Sequence, residues 1–554
     1  MSSDKEKIQR LEQRRESAKS VFDYFKEDFK ELSRHFLPTR SLFIEDGEKT
    51  EKRMLRKDIL DDTGKHAVRT LSAGMHGGMT SPARPWFALS LPDTELAQYG
   101  SVKIWLDDTT RRMRQLFARS NFYHGIQNLY DELAVFGTSL MLEHSDERMG
   151  LRFDTLTVGE YYLASDYYGR VNTMFRTTSL SAYQIVEQYG LDNCSDKIKD
   201  AYDKASTQEQ KFSVIHAVMP NQEHNPLSLN AKSKPYASYH WVKGEEKFLR
   251  VSGYDTFPGA APRWSTVANG IWGVSCGMDN LATSRMLESM KHSYLHGENL
   301  KLDPPMVVDN SVKHIDLLPG GITRMNTQNG DRQLYPAYAV QPDTTGVFQN
   351  IQILQQSLRE GFYNDLFRML SGFTSTPQMT ATEVAERHEE KLLQLGPILE
   401  RLHAELFIPL IDRTFLIMVQ NGMIMNPPEE IQGMEIKVDF VSILAQAQKM
   451  VQTSSVNQYM GFVGAYAPLF PEMADIVDVD AIGEGYADYL GVDARFIRPK
   501  EDREAIRVQR AQQIQAQQMM EAAQQGAGMI KDTASAKMGE DSALDTLLSG
   551  IGNA

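Results

Sequence analysis

The chain has 554 residues, a formal net charge of −14 and two cysteines. Its length divides into several domains, and its acidic balance argues against general nucleic-acid affinity, which needs a basic surface. Cys194 and Cys276 exclude a disulfide framework and suit a reducing compartment; no apolar run reaches membrane-spanning length, and Met1 to Lys7 has no signal-peptide core.

Lys5 to Phe36 reads as one charged helix docked on a surface, with Leu11, Val21, Phe25, Phe29, Leu32 and Phe36 as its inner row. Leu37-Pro38 ends it, and a polar stretch follows from Arg40 to Arg56. Asp62-Thr63-Gly64 opens a short helix that runs into Ala73-Gly74-Met75-His76-Gly77-Gly78-Met79-Thr80-Ser81-Pro82-Ala83-Arg84-Pro85-Trp86-Phe87. A phosphate loop needs a lysine that this glycine cluster lacks. The glycines therefore read as close packing and a tight turn, with Trp86 and Phe87 as core anchors. Val102 to Arg119 and Phe122 to Phe136 are two further helices. Asp107-Asp108 cannot share a helix face, and with Arg111, Arg112 and Arg114 nearby the region reads as a solvated charged surface.

From Leu140 to Tyr254 the pattern turns to strands: Leu151 to Phe153, Val171 to Phe175 after a Tyr168-Gly169 turn, and Phe212 to Val218. Tyr239 to Val242 pairs with Phe248 to Val251 across Lys243-Gly244-Glu245-Glu246. Ser181 to Tyr189 is a short helix between strands, so this body is α+β rather than a βαβ wind.

Asp279 to His296 returns to helix and stops before Pro304-Pro305. A compact β-like insert lies between Met306 and Ala339, bracketed by two long helices. In the second of these, Val347, Ile351, Leu354, Leu358, Phe362, Leu366 and Met369 form one apolar face from Thr345 to Leu370, roughly 26 residues and about 39 Å of helix. Gln349, Gln352, Gln356, Arg359 and Tyr363 lie opposite. Ser371-Gly372-Phe373-Thr374-Ser375-Thr376-Pro377-Gln378 cannot stay helical. Thr380-x-x-Glu383 caps a further helix toward Gly422, kinked at Gly396-Pro397.

Beyond Gly422 come a strand at Ile436 to Phe440, a helix from Ser442 to about Tyr459, and a helix after Pro499 through Gln518. A loose tail follows from about Gly526. Asp478-Val479-Asp480 with Gly483 and Glu484 has the wrong ligand spacing for a calcium loop. No Cys-x-x-Cys pair, His-Glu-x-x-His helix or Gly-x-Ser-x-Gly elbow occurs. His76, His216, His240 and His388 read as ordinary packed or polar histidines. Arg387 and Lys391 are candidate phosphate contacts, with intrahelical pairing to Glu383, Glu386 and Glu390 as the competing reading. No catalytic, metal or cofactor site emerges.

Two segments carry a family resemblance: Leu71-Ser72-Ala73-Gly74-Met75 through Thr80-Ser81-Pro82-Ala83-Arg84-Pro85-Trp86-Phe87, and Tyr130-Asp131-Glu132-Leu133-Ala134-Val135-Phe136-Gly137-Thr138. With them the chain resembles the podovirus-type bacteriophage portal family, the head-to-tail connecting proteins, from about Leu11 to Gln420. The resemblance implies a helix-rich α+β portal fold: a wing over 1–278, a stem helix over 279–300, a clip over 301–340 and a second stem helix over 341–370. A tunnel loop over 371–380 follows, then a long kinked helix and return strand over 381–441, a crown over 442–525 and a flexible tail over 526–554.

The implied function is a dodecameric ring at a unique capsid vertex of the virion, assembled in the host cytoplasm. It is the channel for packaging and ejection of double-stranded DNA. Implied partners are the terminase large subunit, a tail adaptor, and the major capsid and scaffolding proteins, with no membrane and no enzymatic activity. Gln349, Gln352, Gln356 and Arg359 would line the bore, Ser371 to Gln378 would form the flexible DNA contact, and Lys313, Arg324 and Arg332 are candidates for docking on the clip. Apolar helix faces would be covered by neighbours in the ring. A capsid or tail scaffold protein without DNA passage is the alternative.

Overall fold

A computed structural model describes residues 4–40, 59–93, 96, 100–228, 230–268, 270–302, 306–308, 334–336, 344–365, 395–434, 436–440, 456–490, 498 and 500–535. The chain groups into two compact units: 1–90, 106–426 and 436–478 in the first, and 91–105, 427–435 and 479–554 in the second.

The first unit is helix-rich and α+β. Helix α1 (Asp4–Phe36) is continuous, and its inner row is Ile8, Leu11, Ala18, Phe22, Phe29, Leu32 and Phe36. Val21, expected inside, is 39% exposed, because Phe22 is the residue that keeps step with Ala18 and Phe29 at helical spacing. Helix α2 (Thr63–Met79) runs straight through Gly74, Gly77 and Gly78, correcting the expected turn. The close packing is at Gly64, where a Cβ would lie 2.9 Å from the Phe36 ring.

After α2, strand β1 (Phe87–Ser90) precedes helices α3 (Gly100–Arg119) and α4 (Phe122–Phe136). Strands β2 (Leu140–Asp146), β3 (Gly150–Leu156), β4 (Tyr161–Ser165) and β5 (Val171–Ser181) follow. Helix α5 (Ala182–Tyr189) starts on a capping box between Ser181 and Gln184, which satisfies two orphan amides at once. Helix α6 (Asp196–Asp203) leads to β6 (Lys211–Pro220), β7 (Tyr236–Val242), β8 (Phe248–Tyr254) and the short β9 (Gly259–Ala260).

The five strands β4-β5-β6-β7-β8 form one antiparallel sheet, and β3-β2-β9 form another. The expected hairpin is present, with His240 opposite Arg250 and Trp241 opposite Phe248. Ile8, Leu11 and Ala18 of α1 cover one face of the large sheet through Phe175, Ile215, Trp241 and Phe248. Helices α5 and α6 cover the other face through Ile185, Ile198, Val214 and Leu249. His216 and His240 stack on that second face, ring centroids 4.0 Å apart, with hydrogen bonds to Ser238 and Tyr189 at 3.0 Å. Burial holds both rings well below the ordinary histidine value, His240 at about 3. They are neutral packing groups.

Trp86 and Phe87 anchor the core as expected, at 2% and 0% exposure. Trp86 stacks on Phe122 at 5.7 Å and meets Phe407 and Phe440. Strand β12 (Lys437–Phe440) pairs antiparallel with β1, Phe87 opposite Phe440. This pairing spans about two-thirds of the chain, and no local pattern announces it.

Candidate nucleic-acid interface

The candidate wall stands on a helical pair. Helix α7 (Cys276–Leu302) precedes strands β10 (Met306–Val308) and β11 (Leu334–Pro336), which pair antiparallel. Helix α8 (Thr344–Gly361) then packs back along α7. Apart from β10 and β11, residues 303–343 lie outside the described residues, and with them the docking candidates Lys313, Arg324 and Arg332.

The 3–4 spacing of Ile351, Leu358 and Phe362 buries one face of α8. Phe36 meets Phe362 at 5.2 Å, and Leu358 lies against Gly64. This corrects one expectation: of the five described members of the apolar row, Ile351, Leu358 and Phe362 are covered by the chain's own helices rather than left for a neighbour, and Val347 and Leu354 are half-buried. A different apolar set is exposed, with Phe348 at 48% and Ile353 at 64% on α8, and Met286, Leu295 and Leu302 on α7.

Gln349, Gln352 and Gln356 are exposed on the opposite face, and Arg359 is half-buried at its edge. Gln356 Nε2 donates to Glu360 at 2.8 Å. At about 100° per residue the three glutamines fall within an arc of about 60°, with Phe348 and Ile353 about 40° outside it on opposite sides. From Thr344 to Leu358 the helix carries no charge. The result is an uncharged polar stripe with an apolar residue on each flank.

Helix α8 runs to Gly361 and is interrupted at Phe362 and Tyr363; Asn364 and Asp365 are helical again, and 366–370 of the expected helix lie outside the described residues. Tyr363 adopts φ +54, the left-handed region that side-chain-bearing residues rarely enter, and its N–H donates to the Glu360 carbonyl at 2.9 Å. The apolar row continues through Leu366 and Met369, so helical spacing alone does not reveal this interruption. Ser371, Gly372, Phe373, Thr374, Ser375, Thr376, Pro377 and Gln378 lie outside the described residues, as do Arg387, His388 and Lys391.

Past that gap, a helix over 395–402 passes into a π turn at His403–Phe407 and then helix α9 (Ile408–Gln420). A departure from α geometry lies beside Pro409, while the turn preceding Gly396-Pro397, where the kink is expected, lies outside the described residues. Proline lacks the N–H that would bond the Glu405 carbonyl, and a wide turn absorbs the loss. Arg263 locks the turn from outside: its Nη2 lies 2.6 Å and its backbone N 2.9 Å from the Glu405 carboxylate.

Three side chains not singled out from sequence tie the pair to the body. Asp61 is buried, and it accepts from Lys291 of α7 at 2.6 Å, from Gln355 Nε2 of α8 at 2.7 Å and from Thr63 N at 2.7 Å. Burial raises its carboxyl, but these bonds outweigh it and hold the group below the usual range. The adjacent Leu60 N donates to Glu288 at 2.6 Å. The only sequence signal is an Asp at a helix entry.

The second quoted segment is structural. Glu132 is fully buried in α4, 2.5 Å from Arg40 and 2.5 Å from Thr157 Oγ1. Gly137 caps α4 at φ +74, where a Cβ would run into the Gly273 carbonyl, so no other residue fits. Asp108 pairs with Arg111 and Arg112 as a surface cluster.

In the second unit, Val479 opens helix α10 (Val479–Leu490). Asp480 and Glu484 pair with Arg507 and Arg503 of α11 (Lys500–Ser535), so these two acidic residues have cationic side-chain partners. Helix α11 extends ten residues into the stretch expected to be loose. Among the described residues no group of three His, Cys, Asp or Glu side chains is placed to hold a metal ion. No helix of the described residues is long and apolar enough to cross a membrane, and both cysteines are free and buried.

A helix-rich α+β body that projects a helical pair with an uncharged stripe is a scaffold of the connector class. Residues 8–497 match the family described as bacteriophage head to tail connecting protein, and the chain belongs to that family. It is 40% identical over 516 residues to a probable portal protein of Bordetella phage BPP-1, covering 92% of this chain and 91% of that one. It is 38% identical over 517 residues to the portal protein of Salmonella phage epsilon15, covering 92% of each. A chain from the neck of an empty GTA particle aligns with 73% of this chain and 86% of its own, at 11% identity and a TM-score of 0.34.

Proposed function

We propose that this chain is the portal subunit of a tailed bacteriophage. Copies assemble into a ring, a dodecamer in this reading, at one capsid vertex. The α7–α8 pair forms the wall of a bore through which double-stranded DNA is packaged and ejected. The carrying observation is the exposed Gln349, Gln352 and Gln356 stripe with Phe348 and Ile353 exposed on its two flanks. In a ring that arrangement turns the stripe inward and the apolar flanks toward neighbours on either side.

The chemistry of the stripe suits transit. Each firm Lys or Arg contact to phosphate releases counterions and binds tightly, so a charged wall would hold what it must pass. Carboxamides stay wetted and bind weakly. The segment over 301–340 is the proposed platform for the terminase large subunit and later a tail adaptor, and capsid and scaffolding proteins would meet the ring's outer side.

The experiment replaces Gln349, Gln352 and Gln356 together by lysine. Ring assembly, read by electron microscopy, should be unchanged, while packaging slows by on the order of tenfold at low salt and recovers as salt rises. Unaltered translocation in intact rings would remove α8 from the bore. A ring without an axial hole wide enough for duplex DNA would favour a scaffold role instead.

A further inference from the structure

We propose that Asp61 is a positioning residue for the channel wall: it clasps α7 to α8 where the pair leaves the body, and so sets the radius at which α8 presents its glutamines. This rests on reading that stripe as the bore.

The argument starts from where burial stops. Leu287 is the last buried residue of α7 and Ile351 the first buried one of α8. Lys291 and Gln355 lie within about one turn of those limits, and the Asp61 carboxylate bonds both. Its other oxygen takes the Thr63 amide at the first turn of α2, a helix packed on α4 inside the body. One carboxylate therefore joins two projecting helices to a fixed one.

Side-chain packing is incomplete beside the joint. Ile59, Arg34, His35, Arg285, Glu288 and Ser289 line an open cleft of about 220 Å³ between α1 and the base of α7. Polar contacts bridge the joint: Asp61 on Lys291, the Leu60 amide on Glu288, Lys291 on the Leu60 carbonyl at 3.4 Å and, on the α1 side, Arg285 on Glu31 and Ser284 with His35 at 3.1 Å. A buried carboxylate that loses its donors is costly. The clasp is thus either fully made or opened together with its surroundings, which gives the helical pair discrete positions rather than slack.

The test places spin labels at Arg69→Cys on α2 and Ser357→Cys on α8, both exposed, while Cys194 and Cys276 are buried. Pulsed electron paramagnetic resonance on the assembled full-length protein reads the distance. Asp61→Asn should broaden the distribution and shift it, whereas Asp61→Glu, which keeps a carboxylate for Lys291, Gln355 and the Thr63 amide, should stay narrower than Asp61→Asn. An unchanged distribution in Asp61→Asn overturns the clasp. So does an Asp61→Glu distribution as broad and as shifted as that of Asp61→Asn, since the carboxylate would then not be what holds the helices. Should Asp61→Asn not assemble, Gln355→Met keeps the Asp61–Lys291 pair and is read in the same way. No DNA enters this measurement, so failure of the channel reading shows separately, in the translocation rate of the glutamine-to-lysine variant.

Discussion

Glu143, on β2, is buried with Oε1 accepting from Thr414 Oγ1 at 2.6 Å. Arg413 of α9 donates to its backbone carbonyl at 3.0 Å and stacks over Tyr254. Burial pushes the Glu143 carboxyl from 4.5 up to about 8, against the opposing pull of Thr414 and Arg413. The folded state thus binds a proton that the unfolded chain has released between those values. The associated stability is fully present below the unfolded value and is lost as pH rises through about 8. Glu143→Gln removes this titration, so by calorimetry the melting temperature should fall less steeply than the parent's as pH rises toward about 9. Equal slopes would place the origin elsewhere.

Among elements, α7 and α8 approach closely at Gly361, where a Cβ would collide with the Asn280 carboxamide. Asn280 cannot simply swing aside, because its Nδ2 donates to the Cys276 carbonyl at 2.8 Å. Gly361→Ala should therefore destabilise the protein by about 1–3 kcal/mol through overpacking. Asn280→Ala added to it should recover part of that loss, and a double-mutant cycle by urea denaturation measures the coupling. Strictly additive effects would mean that the two helices are not in register at this point. Just beyond it the helix is interrupted at the left-handed Tyr363, between the buried Phe362 and Asn364.

For the whole molecule, the exposed apolar residues decide what the subunit needs. Phe348 and Ile353 flank the stripe on α8, and Tyr459, Phe462, Tyr466, Leu469 and Phe470 are exposed over 459–470. Phe348→Asp with Ile353→Asp should leave the monomer's melting temperature within about 0.5 kcal/mol equivalent, as for surface changes, and shift the sedimentation profile from ring to monomer. A variant that still forms rings would show that these residues do not face neighbouring copies.

Periodicity and breakers were enough to read α1, the β7–β8 pairing, α5, the paired α7 and α8 and the glutamine face of α8, because a 3.6- or 2-residue repeat is written locally in the chain. The two quoted segments carried the family as well. Contacts between distant residues stayed hidden: β1 with β12, Asp61 with Lys291 and Gln355, Arg263 with Glu405. So did the interruption at Tyr363 and the burial of Ile351, Leu358 and Phe362 by the chain's own helices. Each depends on which surfaces meet in space, and a one-dimensional pattern does not encode partners hundreds of residues apart.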